Sequence, residues 1–421
     1  MLRRAFVLLL ATLAVAGCVD DYYDGPRPGY QPRPGGGIPL SGRLPASGFV
    51  ERQHSPNRVA ILLPLSGGYA EIGQAMLRAA QLAIPGGSTL ALDARDTGGT
   101  PQGAARAAQE AIAAGAGLIL GPLTSPETAA VAPVAREAGV AVLAFTNDSS
   151  QAQPGVWTMG VTPGQQVMRL MVAAQAQNKG RAAALLPDTD LGHRFGDALQ
   201  RAASTLNLPA PNVVYHAPGM KEINSAMRQV SEYGSRRGPI EAQIKTHRAE
   251  GTAEGRRHAQ ALARAHIPAP SYGTLLMADT GDALPIIESL LPYYDIDGVQ
   301  VMGPVQWASS DSGSSHMRGA WYAAPDPESR AGLSQDYSGK YGGPPPAIAD
   351  LAYDAASIAR MLSGEGGFSV AALTRPGGFA GVDGRLMLLP NGEVNRGLAV
   401  FRIERGGSSM VEPAPAGGPG A

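Results

Sequence analysis

Two short turns carry the side chains best placed to hold a ligand. Thr124 and Ser125 follow the apolar run 117–120, and Thr146 and Asn147 follow the apolar run 140–145. Continuous apolar runs of this length fit parallel strands covered on both faces. Hydroxyl-bearing turns at the carboxyl ends of adjacent parallel strands border the crevice where open α/β sheets bind ligands. Ser125, ahead of Pro126 and Glu127, also reads as a helix N-cap with proline in the first turn.

Catalytic patterns are missing. The sequence has no Gly-x-x-x-x-Gly-Lys-Ser/Thr phosphate loop, no His-Glu-x-x-His and no Gly-x-Ser-x-Gly elbow. None of Lys179, Lys221, Lys245 and Lys340 has a serine three positions earlier, so Ser-x-x-Lys chemistry is absent as well. The seven histidines are scattered, and Asp295-x-Asp297-Gly298 is too short a fragment to be a calcium loop. The expectation is a protein that is not an enzyme and needs no metal or cofactor. A net charge of −1 argues against a general nucleic-acid binder.

The single cysteine, Cys18, permits no intramolecular disulfide. Met1-Leu-Arg-Arg is a positive n-region, 5–16 a short apolar h-region, and Val15-Ala16-Gly17-Cys18 matches a bacterial lipobox. The expected lipoprotein signal peptide is 1–17, with Cys18 acylated; two or more acyl chains make a stable anchor. Val19, in place of an aspartate, favours the outer membrane by analogy with enteric bacteria, so the expected location is the periplasmic side of that membrane. Residues 18–56 read as a Pro/Gly-rich tether, whose flexible part spans roughly 35 Å root-mean-square.

The elements that must position the two turns follow from residue 58 onward. Strand-like runs at 59–64, 90–94, 117–120 and 140–145 alternate with helical periodicity, giving βαβαβαβ and a parallel sheet. A second series of strands and helices runs from 162 to 302. A crossover strand is expected at 321–323, followed by helices near 328–341 and 347–363. A closing antiparallel hairpin is expected from 386–389 and 398–403, with a disordered tail at 407–421. The length of 421 residues suggests two lobes.

An interruption at 234–270 is too long for a βα loop and reads as a helical insertion with a basic face. It carries Arg236, Arg237, Lys245, Arg248, Arg256 and Arg257. It is either an ordinary charged surface helix or a contact patch for an acidic partner, polymer or membrane surface.

The run Arg58-Val-Ala-Ile-Leu-Leu-Pro-Leu-Ser-Gly, with Leu118-Ile-Leu-Gly-Pro-Leu-Thr-Ser and Leu191-Gly-His-Arg-Phe-Gly-Asp-Ala-Leu, resembles the type I periplasmic-binding-protein fold of the leucine-binding kind. The resemblance implies two doubly wound lobes joined by three crossovers, 57–161 plus 321–376 and 162–320 plus 377–406. It also implies that hydroxyls and N–H groups at two helix starts hold a ligand carboxylate. The matching positions are Ser66, Thr124, Ser125, Thr146 and Asn147. Phe195 would supply a ring without the tyrosine hydroxyl. Asp279 and Thr280 would meet an ammonium group, unless Asp279 caps the helix near 282. The lipobox, the opening strand and the insertion resemble, more narrowly, lipoprotein activators of penicillin-binding proteins. That likeness implies a peptidoglycan synthase as partner; the competing expectation is a solute receptor of an ABC importer for amino acids or a related small molecule.

Overall fold

The computed structural model describes residues 49–308, apart from Gln53, and 317–415. The expected signal peptide, Cys18 and most of the tether lie outside them.

The first sheet is wound from β1 (Arg58–Leu63), α1 (Ala70–Ala83), β2 (Ala91–Asp96), α2 (Pro101–Ala113), β3 (Leu118–Leu120), α3 (Ser125–Ala138), β4 (Ala141–Ala144) and β5 (Val156–Thr158). Its order is β2-β1-β3-β4-β5 and every pairing is parallel. Alternate residues of β1 serve opposite faces, as the strand period of two requires. Val59, Ile61 and Leu63 pack toward α1, while Ala60 and Leu62 pack toward the alanine face of α2 and α3. Burying each of the large β1 side chains contributes about 1.5–3 kcal/mol. The edge strand β5 was not expected from the sequence; three residues are too few to show a period.

The second lobe begins with α4 (Pro163–Ala176), β6 (Ala182–Pro187), α5 (Asp190–Thr205), β7 (Asn212–His216) and α6 (Met220–Val230). It continues through α7 (Tyr233–Ala249), α8 (Ala253–Arg264), β8 (Thr274–Met277), α9 (Ala283–Tyr293), β9 (Gln300–Gly303) and β10 (Trp321–Ala324). The chain then returns to the first lobe for α10 (Ala331–Tyr341), α11 (Ala349–Gly364), the short α12 (Val370–Leu373) and the small sheet β11 (Phe379–Gly381), β12 (Gly384–Leu388) and β13 (Val394–Arg396). β14 (Ala399–Glu404) and β15 (Gly407–Glu412) complete the second sheet, ordered β15-β14-β10-β9-β8-β6-β7.

Both lobes dock a helix on a strand end in the same way. A Cβ on Gly73 of α1 would stand 2.1 Å from the Pro64 carbonyl oxygen, and one on Gly192 of α5 would stand 1.9 Å from that of Pro187. Only glycine allows such close approach.

Several boundaries differ from expectation. β10 pairs with β9 and β14, so 321–324 belongs to the second sheet and the crossover follows it. Phe379, Leu386, Leu388 and Val394 join the core of the first lobe, so 379–396 does not belong to the second. β12 pairs with β13, not with β14, and the expected hairpin is divided between lobes. Residues 407–412, expected in a disordered tail, pair along β14. The end of the tether also packs: His54 Nε2 bonds to the Ala138 carbonyl at 2.9 Å. Short apolar runs show that a strand exists but not which partner its hydrogen bonds will find. Among the described residues no helix is long and apolar enough to cross a membrane.

Candidate functional site

The turn after β3 folds as a capping box. Thr124, not Ser125, is the N-cap of α3; its N–H donates to Glu127 Oε2 at 3.0 Å and its hydroxyl to the same oxygen at 2.8 Å. Ser125 becomes the first helical residue. Its hydroxyl donates to Asp148 Oδ2, at the end of the turn after β4.

Asp148 is therefore the centre of the first lobe's face of the cleft, and it is 3% exposed. Its Oδ1 accepts the Ser150 N–H at 3.0 Å and the Ser150 hydroxyl at 2.7 Å. Its own N–H donates to Thr146 Oγ1 at 3.1 Å. From the second lobe, Arg194 of α5 places a guanidinium nitrogen 3.1 Å from Oδ2. Burial alone would raise the Asp148 pKa, but the hydrogen bonds from Ser125 and Ser150 and the Arg194 charge outweigh it and hold the carboxyl below its ordinary value. A side-chain carboxylate of the protein thus sits among the hydroxyls expected to receive a ligand carboxylate. Asn147 is exposed between them.

The opening turn repeats the pattern. The N–H groups of Leu65, Ser66 and Gly98 converge on Asp96 Oδ1 at 2.8, 3.2 and 2.8 Å. Burial pushes the Asp96 pKa up, and the Ser66 hydroxyl and these N–H groups bring it net below the carboxylate norm.

On the second lobe, His216 at the end of β7 and Asp279 after β8 form a buried pair, Nε2 to Oδ2, at 3.2 Å. His216 Nδ1 lies 3.0 Å from the Ala217 carbonyl. Burial lowers the His216 pKa, but Asp279 and that carbonyl raise it net above 6.5. Trp307 Nε1 donates to the Asp279 carbonyl at 3.0 Å. Asp279 does not cap α9, whose N-cap is Asp282. Thr280 is exposed, and Phe195 is 2% exposed within the apolar core under α4 and α5. Its ring is core packing and not cleft wall, because the residue falls on the inward face of α5.

The three crossovers meet in a buried ionic cluster. Arg330 holds Asp350 with two bonds of 2.6 and 2.9 Å. Arg396 lies 3.2 Å from Asp354 and 3.5 Å from Asp383, and donates to the Met159 carbonyl at 3.2 Å. Burial raises the Asp383 pKa to about 7; Arg396 opposes this, and Asp350 and Asp354 add to it. Its members all belong to the first lobe, with Met159 just before the first crossover, Arg330 just after the second and Arg396 just before the third.

The insertion is a helical hairpin, α7 against α8, with Ile244 and Ala259 as its buried apolar residues. Arg236 does not face a partner. It is 7% exposed and donates to the carbonyls of Ser231, Pro268, Tyr294 and Asp295. Arg237 lies 3.8 Å from Glu241. Lys245, Arg248, Arg256 and Arg257 are exposed. At its base His266, Asp295 and Asp297 place one donor atom each within 4.8 Å of one another, enough to meet a divalent ion. His266 is 90% exposed in its side chain, and its 3.6 Å approach to Asp295 is also that of an ordinary surface ion pair.

Arg194, Asp148 and His216 were not singled out from the sequence. The signals were faint: Asp148 ends the Thr146-Asn147 turn, and Arg194 precedes Phe195.

A family model for periplasmic binding proteins matches residues 56–408. Full-length LpoA from Haemophilus influenzae superposes with a TM-score of 0.61 at 17% identity, covering 86% of this chain and 60% of that one. Its C-domain, described as a regulator of PBP1A, superposes with 0.61 at 17%, covering 84% and 99%. A putative branched-chain amino acid ABC transporter protein from Rhodospirillum rubrum gives 0.64 at 18%, covering 84% and 99%. No curated protein matches the sequence.

Proposed function

The chain belongs to the periplasmic binding protein family, and from that premise we propose that it is a lipid-anchored docking protein of the cell envelope that regulates a peptidoglycan synthase by contact. The supporting observation is the Asp148 carboxylate, which takes the Ser125 hydroxyl and pairs with Arg194 across the cleft. A ligand carboxylate would have to displace a buried, charge-paired group there. A binding protein whose anion site is filled from within is suited to present surfaces and less suited to capture solutes.

Acylated Cys18 would hold the protein at the outer membrane's periplasmic leaflet. The tether sets its reach, and effective concentration does much of the binding. Lys245, Arg248, Arg256 and Arg257 on the hairpin form the contact surface. This reading needs no catalytic residue. The test is capture from envelope extract with the acylated protein, followed by a transglycosylase assay on what is recovered. Enrichment of a synthase, lost when the four hairpin cations are reversed, supports the reading; no enrichment with the intact protein sinks it.

Solute receptor for an ABC importer is the second reading, favoured by the likeness to the Rhodospirillum rubrum protein. It requires thermal stabilisation by an amino acid or related acid, abolished by Ser125→Ala and Thr146→Ala.

A further inference from the structure

Two lobes joined by a few crossing segments can hinge about them unless something else ties them together. The buried ionic cluster beside the crossovers does not, since its side chains all come from the first lobe. Among the described residues every other ion pair also stays within one lobe, with a single exception. Arg194 of α5, in the second lobe, reaches Asp148 of the first at 3.1 Å.

The two ends of this pair are built differently. The Asp148 side chain is buried and held by the Ser125 hydroxyl and by the N–H and hydroxyl of Ser150, so it is a fixed anion. The Arg194 side chain is 36% exposed on a long, flexible stem, so it can let go without unpacking a core. Its own helix offers it other partners. Asp190 stands four positions earlier and Asp197 three later, both exposed, at spacings where side chains on a helix meet. In this structure Arg194 passes them over for a carboxylate on the other lobe. With the lobes apart, they can receive it. The guanidinium therefore has one partner for the joined lobes and others for the parted ones, which is what a two-state element requires.

We propose that Arg194 and Asp148 form a latch by which the protein itself holds its two lobes together across the cleft. Release of the Arg194 end lets the lobes part about the crossovers and bares the Ser125–Asp148 face. The latch goes beyond the proposed function, because it depends neither on the α7–α8 hairpin nor on any partner the hairpin meets.

Spin labels at Gln74→Cys on α1 and Ser225→Cys on α6, both exposed positions in different lobes, report the interlobe distance in the full chain by pulsed electron resonance. Cys18→Ser leaves these as the only thiols and removes acylation, so failure of the lipid anchor would not alter the result. The expected parent shows one short distance. Arg194→Gln should raise the ratio of long to short distances about tenfold or more, the effect of losing a charge-assisted bond. Asp148→Asn should do the same from the other lobe. The double variant should shift no further than either single one, because all three remove the same pair. Arg201→Gln, an exposed arginine further along α5, should change nothing. The proposal is overturned by an unchanged distance in Arg194→Gln, by an equal shift in Arg201→Gln, or by shifts that add in the double variant. If Asp148→Asn does not fold, Arg194→Gln against Arg201→Gln decides alone, and unchanged backbone spectra of those two separate opening from loss of fold.

Discussion

The cleft and the α7–α8 hairpin treat charge in opposite ways. In the cleft Asp148 and Asp279 are buried and matched: Asp148 by Ser125, Ser150 and Arg194, and Asp279 by His216. On the hairpin Lys245, Arg248, Arg256 and Arg257 stand in solvent, and little apolar surface is buried beneath them. Matched, buried charge fixes geometry. Exposed, unmatched charge adds little to stability and remains available to a partner. The difference places rigidity in the cleft and crossovers, and under the proposed function recognition falls to the insertion.

The largest expected effect is at the crossovers. Arg396→Met should destabilise the protein by about 3–5 kcal/mol, because Asp354 and Asp383 are left as buried carboxylates without their partner; urea unfolding measures it. A loss below about 1 kcal/mol would mean that the cluster does not hold the hinge.

Next comes the cleft itself. Asp148→Ala should cost about 1–3 kcal/mol, the range for losing a buried charge-assisted hydrogen-bond set. It should also let small carboxylates bind where Asp148 was. If acetate and leucine stabilise the parent as much as the variant, the idea of an internally filled anion site fails.

The pH dependence separates the two faces of the cleft. The Asp148 pKa is depressed in the folded state, so its contribution is present above the unfolded value of about 3.9 and is lost as pH falls through the folded value. The His216 pKa is raised, so its contribution is complete below about 6.5 and is lost as pH rises through the folded value. Thermal melts of Asp148→Ala should lack the acid-side loss, and melts of His216→Gln the loss above pH 6.5.

The smallest stability effect belongs to the hairpin. Reversing Lys245, Arg248, Arg256 and Arg257 together to glutamate should change stability by roughly 0.5 kcal/mol or less per site while abolishing partner capture. Intact capture by this variant would move recognition off the insertion.

Much of the architecture was legible because its causes are local. Apolar runs such as 59–63 and 140–144, separated by helical periods, specify strands buried on both faces, and the 234–270 charge pattern specifies helices that bury little. The two hydroxyl turns were legible too, since they end those strands. The strand after residue 406 and the division of the last hairpin were not, because partner choice is a long-range matter that no window of sequence contains.

What the sequence determined by itself, then, is the alternation of strands and helices, the glycines that admit strand ends, and the residue types at the cleft. What only the tertiary structure decided is who meets whom. Ser125 finds Asp148 across 23 positions, Arg194 reaches Asp148 from the other lobe, and Arg396 finds Asp354 across 42. Local propensity acts over a few residues, whereas charge pairing is fixed by the packing that brings distant segments into contact.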